Sequence, residues 1–203
     1  LLARAVTSND EFPDNIFKAE HANLDDTMAQ LSKEDTDTFT KTIKEADIVY
    51  CVGWGISSFV MELMQLRLTV MGCRAILCRR GGLSLWEQMR SVKKSDVVIV
   101  CELPSYAVEV TESVEIAHKK GAKVITMTDS AAAPVCRFAD LQFNVSANSP
   151  TFGSSVIGPI FLTHVLTSAL AVSFGAKAKR AFDEQAEFLH DERIFHPIFG
   201  LRY

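Results

Sequence analysis

The sequence predicts an α/β fold, a three-layer αβα sandwich built around a five-stranded parallel sheet. Short apolar segments alternate with helical segments, and the connections between them are short. Strands that alternate with helices in this way form right-handed crossovers, which give a parallel sheet covered on both faces. The five strand segments are Ile48–Val52, Ala75–Cys78, Val97–Cys101, Lys123–Thr128 and Leu141–Val145.

Two helices are predicted ahead of the first strand. Apolar residues recur at helical spacing across residues 14–31, which indicates an amphipathic helix. Ser32, followed three residues later by Asp35, resembles an N-cap and opens a second helix whose Phe39 faces inward. Residues 1–46 are therefore predicted to be linker and packing helices.

The first strand ends in a glycine turn, Gly53-Trp-Gly-Ile-Ser-Ser58, that leads into a helix. Unpaired N–H groups and the positive end of the helix dipole meet at such a turn and form an anion site. The structural alternative is that the glycines only allow a tight turn. The pattern is one residue short of the dinucleotide fingerprint, and Arg79 and Arg80 stand where that fingerprint needs an acidic residue, which disfavours NAD.

Helices alternate with the strands over the rest of the chain. Segment 59–71 is apolar nearly all round, so we expect this helix to be buried on more than one side. Segment 156–174 has the length of a membrane span, but Gly158, Pro159 and His164 favour a buried helix instead. The other predicted helices are Ser84–Val92, Val108–Lys120, a short turn at Val135–Phe138, and Ala176–His190 with an inner stripe of Ala178, Phe182, Ala186 and Leu189.

The sheet domain is predicted to span residues 47–190, and residues 191–203 form a C-terminal tail. The tail mixes aromatic residues with Pro197 and Gly200 and shows no periodicity. The pattern therefore assigns it neither a structure nor a role.

Polar side chains follow the strands at the edge where parallel sheets bind ligands. Glu102 directly follows a buried strand, so partial loss of water would let it act as a base or accept a hydrogen bond from a hydroxyl. A solvated loop glutamate is the alternative. Ser154 precedes the long apolar helix and either caps it or touches a ligand. His164 inside that helix is either a hydrogen-bonded core residue or a catalyst.

Composition disfavours several kinds of site. The formal net charge is −4, which argues against a nucleic-acid-binding surface, because phosphate contacts need clustered Lys and Arg. The five cysteines include no Cys-x-x-Cys pair, and three of them fall in apolar strand segments. Reduced thiols of a cytoplasmic protein are expected, with no disulfide, no metal and no cofactor. Segment 1–6 is too short for the apolar region of a signal peptide.

Together these segments resemble the sugar isomerase (SIS) domain, and more closely the effector domain of RpiR-family bacterial transcriptional regulators. The resemblance runs from about Asp47 to Phe174. The motifs that carry it are Gly53-Trp-Gly-Ile-Ser-Ser58, Leu66 through Gly72, Asp96-Val-Val-Ile-Val100, Ala117-His-Lys-Lys-Gly-Ala-Lys-Val-Ile-Thr-Met-Thr128 and Phe138-Ala-Asp140.

The resemblance implies a cytoplasmic domain that binds a phosphosugar or related metabolite and forms a homodimer through its helices. It also implies a helix-turn-helix domain that binds DNA, and this chain would begin in the linker helix after that domain. The implied ligand-binding residues are Gly53, Gly55, Ser57 and Ser58 for the anion or its nearest hydroxyls, Glu102 and Ser105 for sugar hydroxyls, and Ser154 on the far side.

One loop departs from the family pattern. Family members usually carry Ser-x-Ser-Gly-x-Thr after the third strand, and its hydroxyls and amides hold the phosphate. Here residues 102–107 read Glu-Leu-Pro-Ser-Tyr-Ala. Pro104 removes an N–H donor, and Glu102 adds a negative charge that repels a phosphate at close range.

The sequence therefore predicts a non-catalytic effector-binding domain. An aldose–ketose phosphate isomerase on the same fold is the alternative, with Glu102 or His164 as the base that isomerisation requires. A domain that only dimerises is a third interpretation, suggested by the altered loop.

Overall fold

The computed structural model describes residues 12–151 and 153–191, so the predicted tail from residue 192 onward and segment 1–6 lie outside the described residues. Seven α-helices and five strands make up this part of the chain. In order they are α1 (Phe12–Ala29), α2 (Lys33–Glu45), β1 (Val49–Gly53), α3 (Ser57–Val70), β2 (Ala75–Cys78), α4 (Leu85–Gln88, continued by a 3-10 turn at Met89–Ser91), β3 (Val97–Glu102), α5 (Val108–Lys119), β4 (Lys123–Thr128), a 3-10 turn at Pro134–Phe138, β5 (Leu141–Asn144), α6 (Ile157–Phe174) and α7 (Ala176–Asp191).

The five strands form one sheet in the order β2-β1-β3-β4-β5, and every pair is parallel. The predicted fold class is confirmed, and each predicted strand lies within one residue of the observed one. One shift bears on function. Strand β3 runs through Glu102, so this glutamate is the last residue of a buried strand and not the first residue of a loop.

Helices cover both faces of the sheet. Alternate residues of each strand point to opposite faces, so Cys51 packs on one side and Val52 on the other. Helices α2, α3 and α6 contribute to the core on the Cys51 face, and α4 and α5 contribute to the core on the Val52 face. The three cysteines in strands, Cys51, Cys78 and Cys101, are free and buried, and burial raises the pKa of each thiol.

The two helices ahead of the sheet pack on it. The predicted N-cap is confirmed, because the Ser32 hydroxyl accepts a hydrogen bond from the Asp35 amide at 3.0 Å. Phe39 on α2 is fully buried. Helix α1 lies against α6, and its buried Asn23 bonds the loop that follows β5.

Helix α3 is not buried on more than one side, which corrects the expectation from its apolar sequence. Phe59 is 66 % exposed and Leu66 is 55 % exposed. Phe182 of α7, predicted to face inward, is 43 % exposed as well, whereas Ala178 is buried. An apolar pattern on all sides of a helix indicates that each side packs against something. Within the described residues, the chain itself packs against only one side of α3.

Helix α6 is long and apolar enough to cross a membrane by length and composition alone, with a mean hydropathy of 1.7. In the structure it packs its Leu162, Leu166 and Leu170 into the core below the sheet. Val172, near its end, stays 83 % exposed. The helix is thus buried along one face, which is the position of a core helix.

Candidate functional site

The loops that follow β1 and β3 enclose a cavity of about 80 Å³ at the carboxyl edge of the sheet. Strand order reverses between these two strands, because β1 is followed in space by β2 on one side and by β3 on the other. Open α/β sheets bind their ligands at this switch point. The lining residues are Trp54, Ile56, Ser57, Cys101, Glu102, Leu103, Pro104, Ser105, Ala107 and Val110.

The turn between β1 and α3 needs both of its glycines. A Cβ on Gly53 would lie 2.7 Å from the carbonyl oxygen of Ser57, because the strand end touches the helix start. Gly55 has a φ of +55°, a conformation that side chains rarely adopt. Ser57 is buried and lines the cavity, whereas the Ser58 hydroxyl turns back and donates to the Gly55 carbonyl at 2.7 Å.

The first amides of α3 are partly used within the turn itself. The amides of Ser57, Ser58 and Phe59 donate to the carbonyls three residues earlier, at 3.1 to 3.2 Å. These N–H groups are the ones an anion would have used at a helix start. Of the four residues predicted for the anion, only Ser57 lines the cavity. An anion site in this turn stays a prediction.

Glu102 is the charged residue among those that line the cavity. Its side chain is buried at 4 % exposure, so the alternative of a solvated loop glutamate is wrong. One carboxyl oxygen, Oε1, accepts the amide of Ala107 at 2.9 Å. The other, Oε2, is buried and has no hydrogen-bond partner among the described residues. Burial raises the pKa of the carboxyl to about 7, against the lowering effect of the Ala107 amide, and Asp129 adds to the rise.

The position of Glu102 coincides with the start of α5. Ala107 is the N-cap residue of that helix and makes no capping hydrogen bond with its own side chain. The Glu102 carboxyl therefore takes up an amide at the positive end of the helix dipole, where an anion is favoured. The chain supplies its own acidic group at this place.

The loop after β3 is held in an unusual backbone conformation. Ser105 has a φ of +78° and is the described non-glycine residue with a positive φ. It stands where the resemblance places a glycine, and its φ lies in the region that favours glycine. The Tyr106 hydroxyl donates to Asp129 at 3.0 Å and ties this loop to the end of β4. Burial, followed by that hydrogen bond, raises the pKa of Tyr106 to about 12.

The electrostatics of the cavity are acidic. Among residues 12–151 and 153–191, no Lys, Arg or His lines the cavity, and the Asp129 carboxylate lies close enough to raise the pKa of Glu102. The remaining walls are largely apolar, from Trp54, Ile56, Leu103 and Val110. This arrangement can accept hydrogen bonds from a small ligand, and it can hold a base beside it.

Two predicted residues lie apart from the cavity. Ser154 is not among the residues that line it, and its neighbour Ser155 donates to Glu20 of α1 at 2.6 Å. His164 is exposed on α6 and lies 2.8 Å from a guanidinium nitrogen of Arg67, so a buried core histidine is wrong. Sequence reasoning did not single out Trp54 or Ile56 as cavity residues, although an aromatic residue between two glycines of a rim turn is a usable signal.

A family model described as the SIS domain matches residues 42–173. No curated protein matches the sequence. The predicted division of the chain at residues 46/47 and 190/191 stays a prediction.

Several solved structures share the fold. The RpiR transcription factor from Sphaerobacter thermophilus (sugar isomerase domain) is 24 % identical, with 88 % of this chain and 99 % of that chain covered and a TM-score of 0.83. The Vibrio vulnificus NanR protein complexed with ManNAc-6P is 20 % identical, with 90 % and 70 % covered and a TM-score of 0.76. A hypothetical protein from Methanococcus jannaschii, whose structure infers a function of 3-hexulose-6-phosphate isomerase, is 15 % identical, with 81 % and 91 % covered and a TM-score of 0.61.

Proposed function

We propose that this chain, which belongs to the SIS domain family, is the effector-binding and dimerisation domain of a bacterial, cytoplasmic transcriptional regulator. Its effector is a phosphosugar or a related small metabolite. The observation that carries this proposal is the cavity at the switch point between β1 and β3, with a buried carboxyl group in its wall. Two fold neighbours support it, since one is an RpiR transcription factor and the other is NanR in complex with ManNAc-6P.

In this proposal the ligand lies between the two rim loops. Ser57 lines one wall, and Gly53, Gly55 and Ser58, which shape the turn that positions Ser57, stay candidates for contact with the ligand. Glu102 and Ser105 meet hydroxyls of the ligand from the other wall. Ser154 stays a candidate for the far side, for a ligand that extends beyond the cavity.

A homodimer is supported by the uncovered side of α3. An apolar groove of about 500 Å³ runs between α3, α6 and α7, and Leu63, Leu66 and Phe182 are among its lining residues. Exposed apolar surface of this kind is typical of an interface. A second copy of the chain would cover it. DNA would be bound by an additional helix-turn-helix domain of the full-length regulator. The distance between the two such domains of a dimer would change with the dimer geometry that the ligand favours.

Ligand binding is tested by thermal unfolding of the purified chain with a panel of sugars and sugar phosphates. A ligand that binds only the folded chain raises the melting temperature in a concentration-dependent way. We expect at least one metabolite of this class to do so, and the rise to be lost in Trp54→Ala, which removes an exposed wall of the cavity. An equal rise in melting temperature for Trp54→Ala and the unaltered chain would mean that the ligand binds outside this cavity.

A sugar-phosphate isomerase is the second candidate function. It is favoured by Glu102, whose raised pKa, at about 7, suits a general base. An isomerase exchanges a carbon-bound proton of the substrate with solvent deuterium, and Glu102→Gln would abolish the exchange. We expect no exchange with any sugar phosphate. Proton exchange that is lost in Glu102→Gln would show that the chain is an isomerase and would contradict the proposed regulator function.

A further inference from the structure

We propose that the cavity recognises a hydrogen-bond donor group of an unphosphorylated sugar or polyol, a hydroxyl or an ammonium, through the free oxygen of Glu102. The inference rests on the proposed effector-binding function and narrows its ligand class. It says that a carboxyl of this chain occupies the place at the start of α5 where an anionic group of a ligand would otherwise sit.

The first observation is the unsatisfied oxygen itself. Oε2 of Glu102 is buried and has no hydrogen-bond partner among the described residues, and Glu102 is one of the residues that line the cavity. A buried polar atom without a partner destabilises the folded state, so folded proteins rarely keep one without a reason. A donor group on a ligand would satisfy it.

The second observation is the position of the other oxygen. Oε1 already holds the Ala107 amide at 2.9 Å, at the beginning of α5. A phosphate at this point would compete with the carboxyl for the same helix end and would meet its charge. Pro104 brings no N–H group to the loop that could offset the repulsion.

The third observation is the charge around the site. The titratable groups that interact electrostatically with Glu102 are Cys101 on its own strand, Tyr106 in the loop before α5, and Asp129 after β4. None is a cation, and no cation lines the cavity within the described residues. A phosphate site needs cationic groups or N–H donors, whereas this site offers a carboxyl oxygen that accepts a hydrogen bond from the ligand.

The test compares each sugar with its own phosphate ester by titration calorimetry on the purified chain. The probes are glucose, glucosamine, ribose, sorbitol and myo-inositol, each paired with its monophosphate. We expect an unphosphorylated member to bind at least tenfold more tightly than its phosphate. Tighter binding of glucosamine than of glucose assigns an ammonium as the donor, and equal binding assigns a hydroxyl.

The affinity for an unphosphorylated sugar and the affinity for its phosphate should change in opposite directions with pH. A neutral donor binds the ionised carboxyl, so its affinity should rise by roughly tenfold between pH 6 and pH 8, given a pKa of about 7 in the free chain. Cys101 and Tyr106, with pKa values of about 12, keep their protons over this range. A phosphate beside Glu102 would instead bind more weakly as the carboxyl ionises.

Two variants complete the test. Glu102→Gln should weaken the neutral ligand about tenfold and flatten its pH dependence, because the charge-assisted hydrogen bond is lost. Glu112→Gln removes an exposed glutamate of α5 outside the cavity and should change neither the affinity for the neutral ligand nor its pH dependence. If Glu102→Gln does not fold, the sign of the pH dependence in the unaltered chain still decides.

Tighter binding of the phosphates by the unaltered chain would overturn this inference and leave the effector-binding proposal standing. Binding of neutral sugars with no pH dependence between pH 6 and pH 8 would also overturn it. Absence of binding by every probe would overturn the effector-binding proposal, and the inference with it.

Discussion

Glu102 makes the stability of the folded chain depend on pH even without a ligand. Its pKa is raised from 4.5 to about 7 by burial, so between these pH values the folded chain holds a proton that the unfolded chain has lost. The free energy of unfolding attributable to this residue should therefore fall as pH rises from about 5 to 8, by up to about 3 kcal/mol, and stay constant above. Urea unfolding at a series of pH values measures it.

The matched comparison is Glu102→Gln, which keeps the shape and an acceptor for the Ala107 amide but cannot ionise. The difference in unfolding free energy between the two proteins should grow in favour of the variant as pH rises. A difference that is constant from pH 5 to pH 8 would mean that the carboxyl is ionised throughout and that its burial has no such effect.

Ser105 keeps a backbone conformation that costs a non-glycine residue about 1–2 kcal/mol, since its φ is +78°. Ser105→Gly should raise the unfolding free energy by about 0.5–1 kcal/mol, which is the steric gain less the greater freedom of glycine in the unfolded chain. Thermal unfolding measures the change. Ser105→Ala keeps the strain and should show no gain, and a gain equal to that of glycine would assign the effect to the hydroxyl instead.

At the scale of elements, the sequence predicts what is local and misses what depends on neighbours. Strands β1 and β3 were predictable because a strand buried on both faces is a continuous apolar run, as in Val97–Cys101. The burial of Glu102 was predictable in part, because the sequence places it beside a buried strand. The missing hydrogen-bond partner of Oε2 was not predictable, because it depends on how the neighbouring loops pack. His164 was misplaced because its outward direction depends on how α6 sits on the sheet.

The buried side chain of Asn23 helps to fasten helix α1 to the loop after β5. Asn23 accepts from Ser146 and the Asn148 amide at 2.9 and 3.0 Å and donates to the Asn148 carbonyl at 2.8 Å. Asn23→Ala should lower the unfolding free energy by about 3 kcal/mol, because several buried polar groups lose their partner at once. Hydrogen exchange should show the loss concentrated in α1 and the loop after β5.

The control for this change is Asn15→Ala, an exposed asparagine of the same helix, which should cost less than about 0.5 kcal/mol. Equal exchange rates in α1 of the Asn23 variant and the unaltered chain would contradict the anchoring role.

At the scale of the whole molecule, the uncovered side of α3 predicts self-association. Leu66→Glu places a charge in the apolar groove between α3, α6 and α7 and should convert a dimer to a monomer in sedimentation. Leu83→Glu changes a leucine of equal exposure, 55 %, outside that groove and should leave the dimer intact. A monomer at all concentrations in the unaltered chain, or dissociation by both changes, would rule out this groove as the interface.

The most direct test of a ligand-binding carboxyl at Glu102 is its titration by carbon-13 NMR, with and without the unphosphorylated sugar that binds most tightly. The Glu102 signal is assigned by its loss in Glu102→Gln. We predict a midpoint near pH 7 in the free chain, because the group is buried, and a midpoint at least about one pH unit lower in the complex, because a donor stabilises the charged form. A midpoint near that of a solvated glutamate in the free chain, or one that saturating ligand leaves unchanged or raises, would contradict it.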